Sequence, residues 1–134
     1  MYTFNEWRNI YQRKRIFLQQ LHENEINQLY ESLEEQRGIN NLVDLVDLER
    51  SLLKIRIYTR NLYGFGKIFP LDIEDMPFEM LCFPYEEHKK ELDKLEEVLL
   101  FIRAYEYNKE NMSLRERVRH MICTLNLLND ILNE

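Results

Sequence analysis

Apolar positions recur along this chain at the three- and four-residue steps of amphipathic helices, in stretches that predict five helices at about 4–22, 25–37, 42–63, 85–107 and 114–133. The longest stretch, Leu42 to Tyr63, contains neither Gly nor Pro. Turned at about 100° per residue, it places Asp44, Asp47, Arg50, Ser51, Lys54 and Asn61 on one side. Leu45, Leu48, Leu52, Ile55 and Leu62 form one apolar ridge, and Leu42, Val46, Leu53 and Ile57 form a second beside it. An arc this wide predicts a central helix covered by two or more neighbours. Glu49, Arg56 and Arg60 lie inside the arc. Arg56 follows Glu49 by about 10 Å of rise, so each charge needs its own partner on a neighbouring helix or chain. One reading has them flank the core with exposed tips; the other has them set the register of a helix or subunit interface.

The first helix has Thr3 and Glu6 as a capping box, with Trp7, Ile10, Tyr11, Lys14, Phe17, Leu18 and Leu21 on one face. Asn24 has the chemistry of an N-cap for a second helix carrying Ile26, Leu29, Tyr30 and Leu33, which Gly38 would stop. The central helix is expected to end at Gly64-Phe65-Gly66, where two glycines permit positive φ. An irregular, aromatic-rich segment, 64–84, follows and holds all three prolines. Its KIF and MLCF runs would make at most a short strand pair, against which Pro70 and Pro77 argue. Pro84 suits the first turn of the fourth helix, whose stripe is His88, Leu92, Leu95, Leu99 and Ile102, joined by Val98 and Tyr105. Around Val98–Tyr105 this helix becomes apolar nearly all round, predicting cover from several sides. Ser113 and Glu116 cap the last helix. Its main face is Leu114, Val118, Met121, Ile122, Leu125, Leu128 and Leu132, with His120, Thr124, Leu127 and Ile131 beside it. So broad an arc on a terminal helix is a place to expect another chain.

Composition agrees with an all-α bundle. In 134 residues there are only three Gly and three Pro, with 45% hydrophobic and 31% charged residues, which suits one ordered helical domain and leaves little material for a many-turned β fold. The net charge of −6 argues against direct nucleic-acid binding by the chain as a whole. Arg13, Lys14 and Arg15 are expected to point in three directions on a helix. Cys82 and Cys123 form no CxxC pair, so no zinc site or disulfide framework is indicated. The polar first residues do not resemble a signal peptide, and the longest apolar run, Val98 to Ile102, is far below the roughly 20 residues of a spanning helix. The expected setting is cytoplasmic, with no membrane partner.

Few residues recommend themselves for chemistry. Asp72, Glu74 and Asp75 lack the spacing and glycine of a calcium hand. His22, His88 and His120 are preceded three residues earlier by Gln19, Tyr85 and Arg117, so the Glu-x-x-His of a di-iron bundle is absent. No phosphate loop or H-E-x-x-H occurs, and no metal or cofactor is expected. Arg115 and His120 fit R-x4-H, which resembles the catalytic motif of the HEPN helical ribonucleases. That resemblance would make the chain a toxin-like nuclease using these two residues. On a regular helix the two are about 140° apart, which opposes one shared site. Arg15 and His22 fit the looser R-x6-H form.

Leu18-Gln19-Gln20-Leu21, Tyr30 with Leu33, Glu49-Arg50 and Lys67-Ile68 stand in the order of the motifs in the helical A domain of GINS replication-factor subunits, which this region, about 4–100, resembles. Gly64 and Gly66 interrupt the place where that family continues with Arg and Lys, and 109–134 read as helix where many members carry a small β-rich domain. The resemblance implies a non-enzymatic subunit of a multimer in DNA replication that presents helical faces to other proteins. A small viral or plasmid-borne regulator that binds a host protein has the same composition. The expectation is therefore a protein-interaction or scaffold subunit, homo- or hetero-oligomeric. Its interface candidates are Glu49, Arg56, Arg60, Leu100, Phe101, Leu127 and Ile131.

Overall fold

The computed structural model describes residues 3–36, 42–68 and 85–133, with side chains described at 3–25, 46–68 and 87–133. Among the described residues all regular structure is helical: α1 (Phe4–Gln36), α2 (Leu42–Lys67), α3 (Tyr85–Asn108) and α4 (Leu114–Leu132), with a 3₁₀ turn at Lys109–Asn111 between α3 and α4. Of the possible strand pair, Lys67 ends α2 and Ile68 follows in a turn; the rest of that pair, the acidic cluster at Asp72–Asp75 and Cys82 lie outside the described residues.

Two expected boundaries differ. The first two predicted helices are one, α1, which passes through Asn24 without a break. A capping residue can start a helix but does not stop one, and no Gly or Pro occurs between Phe4 and Gln36 to end it. Tertiary contacts also hold the middle of α1 in place: His22 Nε2 lies 2.7 Å from the Leu125 carbonyl oxygen, and buried Glu25 pairs with Lys54 at 3.5 Å. The second difference is at the glycines. α2 continues through Gly64 and Gly66 to Lys67, so neither stops it. Gly66 serves close approach: a Cβ there would lie 2.5 Å from Leu92 Cδ2 and 3.0 Å from Tyr11 Cε2.

Cross-helix contacts fix the topology. Lys14 Nζ donates to Asn61 Oδ1 at 3.0 Å and Trp7 Nε1 to the Phe65 carbonyl at 3.1 Å. With the Glu25–Lys54 pair, these run α1 antiparallel to α2. Tyr105 with Glu49 at one end and His88 with Gly66 at the other run α2 antiparallel to α3. Arg15 donates to Glu91 at 3.1 Å and, through Nη2, to the Ile131 carbonyl at 3.3 Å. This one side chain ties α1 to both α3 and α4. The described helices thus form an up-down-up-down four-helix bundle.

The core runs along the axis through Leu18, Leu52, Ile55, Leu62, Leu95, Val98, Ile102, Met121, Leu125 and Leu128, all buried. At one end Trp7, Tyr11, Phe65 and His88 close it, with His88 edge-on to Trp7 and Tyr11 at centroid distances of 5.1 and 4.9 Å. This aromatic end sits against Gly66, which explains the close approach there. In α4, Met121, Leu125, Leu128 and Leu132 from one predicted stripe and Thr124 and Ile131 from the other are all buried within the bundle. The breadth of its apolar arc is used inside the chain, and the expectation that it meets another chain does not hold for Ile131, which is 2% exposed.

Candidate functional site

The charges singled out in the sequence fall on the seam between α2 and α3. Glu49 accepts a 2.7 Å hydrogen bond from the Tyr105 hydroxyl, and its other oxygen lies 3.9 Å from Lys109 Nζ. Arg56 pairs with Glu106 at 2.7 Å. Both therefore find partners within the chain, on the neighbouring helix and at the 3₁₀ turn after it, with their tips partly exposed. Arg60 is exposed and takes no partner of this kind among the described residues. It lies about one turn along the helix from Arg56 and about three from Glu49.

Tyr105 lies at the centre of a polar layer. Burial and then the adjacent Glu49 carboxylate hold its hydroxyl well above the ordinary tyrosine range, so it remains a hydrogen-bond donor at any physiological pH. Its ring faces His120 at 5.5 Å, and Phe101 flanks the same imidazole at 6.0 Å. His120 Nδ1 and Arg117 Nε, one turn away on α4, are buried without hydrogen-bond partners. A groove of about 220 Å³ opens beside Glu49 and Tyr105, with Val46, Leu53 and Lys109 on its walls.

The nuclease pair is not assembled. α4 starts regularly at Leu114, with Ser113 Oγ accepting from the Glu116 amide at 3.2 Å, so Arg115 and His120 diverge by about 140°. Arg115 points to solvent while His120 packs against Phe101 and Tyr105. Arg15 and His22 do share a side of α1, but each is engaged structurally, with Glu91 and the Leu125 carbonyl. Among the described residues no three His, Cys, Asp or Glu side chains converge as metal ligands do, and no helix is long and apolar enough to cross a membrane. Cys123 is exposed and free.

The remaining surface is apolar where the sequence promised cover. The described members of the second ridge of α2 are not buried: Val46, Leu53 and Ile57 are 46%, 48% and 54% exposed. α3 is likewise uncovered at Leu100 and Phe101, at 56% and 48%. Leu127 is only partly buried against the core. Hence Arg60, Leu100 and Phe101 remain available at the surface, whereas Glu49 and Arg56 are already partnered and Ile131 is core. On the α1–α2 side, Arg13 and Lys14 line one groove of about 330 Å³ with Phe17, Tyr58 and Asn61. Two of the three consecutive cations thus share a site, and Arg15 turns inward to Glu91. The sequence stripe on α1 missed His22 and Glu25, which are buried; their signal was the continuation of the Trp7, Tyr11, Leu18 steps across Asn24. No protein family, curated protein or solved structure matches the chain.

Proposed function

We propose that this chain is a non-enzymatic protein-interaction subunit that docks through the outer face of α2 and α3. One observation carries the reading: Val46, Leu53, Ile57, Leu100 and Tyr107 stay between 46% and 73% exposed, on the two helices whose inner faces supply Leu52, Ile55, Leu62, Leu95 and Ile102 to the core. Large apolar side chains gathered on one surface mark interaction sites more often than isolated ones do. The same face contributes Arg60, a residue type favoured at interfaces. The GINS resemblance implies a subunit of the same kind, working by presenting helical faces.

A photo-crosslinking side chain at Ile57, with a second at Arg119 on the exposed side of α4 as control, tests the reading in the native host. Protein adducts at position 57 and not at 119 are the expected result. The identity of the adduct separates a replication assembly from a host target of a small regulator. Absence of any adduct at 57 would remove the basis of the proposal. The ribonuclease alternative is checked by incubating the parent protein and a His120→Ala variant with RNA; cleavage that disappears on substitution would overturn the non-enzymatic reading.

A further inference from the structure

We infer that the partner on the α2–α3 face is a second copy of this chain, related by a two-fold axis parallel to the helices, so that α2 of each copy lies on α3 of the other. The inference rests on the reading above, that this face binds protein, and adds the identity of the partner and the register.

The two helices carry different patterns on this face. On α2, Val46, Leu53, Ile57 and Arg60 are exposed, and Lys67 follows at the end of the helix; the charges on the stripe are positive. On α3, Lys89, Asp93, Glu96, Leu100, Arg103 and Tyr107 recur at alternating steps of four and three and are exposed, so that they share one face. Arg103 lies over the Tyr107 ring at 5.8 Å, and the Lys67 ammonium, which lies over the Tyr63 ring at 4.9 Å, is within electrostatic reach of Glu96 and Asp93 on α3. Lys89 ends the α3 stripe, level with Lys67.

The intrachain contacts give the level of every residue along the bundle. Glu49 stands beside Tyr105, and Gly66 beside His88 and Leu92. Between these ends, Arg60 lies level with Glu96 and Ile57 with Leu100, since both helices rise about 1.5 Å per residue in opposite directions. A two-fold axis parallel to the helices leaves these levels unchanged and exchanges α2 with α3. It therefore sets Arg60 of one copy against Glu96 and Asp93 of the other, Ile57 against Leu100, and Leu53 between Leu100 and Tyr107. Both contacts occur twice, and the arrangement closes as an isologous dimer. With the same axis, α2 on α2 would set Arg60 against Arg60, and α3 on α3 would set Glu96 against Glu96. Complementary potentials favour the exchanged pairing.

Each copy offers two helices over about 28 Å, roughly 550 Å² if each presents a strip about 10 Å wide. The total lies near the low end of specific interfaces, which predicts a reversible dimer that dilution separates.

Sedimentation velocity of the full chain across a wide concentration range provides the test, with circular dichroism melts confirming that the variants fold. The parent is expected to dimerise. Arg60→Glu alone and Glu96→Arg alone should each raise the dimer dissociation constant at least tenfold. An equimolar mixture of the two variants should restore dimer to within threefold of the parent, because a mixed dimer again sets opposite charges together at both contacts. A monomeric parent at every concentration, a dimer unmoved by Arg60→Glu, or a mixture no better than its components would overturn the inference. A monomeric parent that still gives adducts to a different protein at position 57 would overturn the dimer and leave the interaction reading standing.

Discussion

Two glycines in the last turn of α2 have opposite environments, and substitutions there should act with opposite signs. Gly64 has no atom within 4 Å of an added Cβ, whereas at Gly66 the Leu92 methyl and the Tyr11 ring stand in the way. Gly64→Ala should therefore raise stability by up to about 1 kcal/mol through helix propensity. Gly66→Ala should lower it despite the same propensity gain, since overpacking costs about 1–3 kcal/mol and Tyr11 is held by Trp7, His88 and a 2.7 Å hydrogen bond to Glu91. Urea titrations of the two variants check both signs. Thr59 is a second such position. Its hydroxyl is fully buried and has no hydrogen-bond partner, so Thr59→Val should stabilise by about 1 kcal/mol; an unchanged or lower midpoint would refute the idea that this hydroxyl is unsatisfied. Nothing in the structure explains its presence. The sequence showed none of this, because a glycine or threonine in a helix reads the same whether its Cβ direction meets a ring, a void or water.

At the scale of the element, α2 separates what pattern shows from what packing decides. Both of its apolar ridges are plain in the sequence, yet one is core and the other is surface. Leu62, fully buried, and Ile57, 54% exposed, make the contrast measurable. Leu62→Ala should cost about 2–5 kcal/mol through lost burial and a cavity. Ile57→Ala should leave the stability of dilute protein within about 0.5 kcal/mol, and thermal melts of the two variants decide this. The first ridge was identifiable because Leu48, Leu52, Ile55 and Leu62 keep the steps of a helix face. Which ridge a second helix would cover depends on how many neighbours the chain supplies, and the described bundle supplies α1 and α3 on one side only. The continuity of α1 has the same origin, since His22 and Glu25 are anchored by α4 and α2, far away in sequence.

For the whole molecule, two buried imidazoles link stability to pH. Burial lowers the proton affinity of His22, and likewise of His88, below the ordinary histidine value of 6.5; each backbone contact opposes this more weakly. The unfolded chain then binds these protons more readily than the folded one, so acid favours unfolding. Their contribution is fully present above about pH 6.5 and is lost as pH falls through the lower folded values. Chemical denaturation from about pH 8 to about pH 5 should show a falling midpoint. His22→Gln should flatten that fall, and His22→Gln with His88→Gln should flatten it further. A midpoint in the parent that does not change over this range would disprove the coupling. The two histidines join different helix pairs, α1 with α4 and α2 with α3, so the effect should appear as one cooperative transition, followed conveniently by Trp7, the single tryptophan.

The helical class, the inner faces of α2, α3 and α4, the caps at Thr3 and Ser113 and the place of His88 on a buried stripe are all legible in the order of residues. These follow from local periodicity and from hydrogen-bonding groups a few residues apart, which act before any tertiary contact forms. Packing between distant helices settles that α1 is one helix, that Gly66 admits the Tyr11 ring, that Glu49 and Arg56 are answered by Tyr105 and Glu106, and that both stripes of α4 contribute to the core. It also decided that the second ridge of α2 and the flank of α3 remain uncovered. Those outcomes depend on which surfaces meet across as many as 116 residues of chain, and periodicity along a helix records that a face is apolar without recording what lies against it.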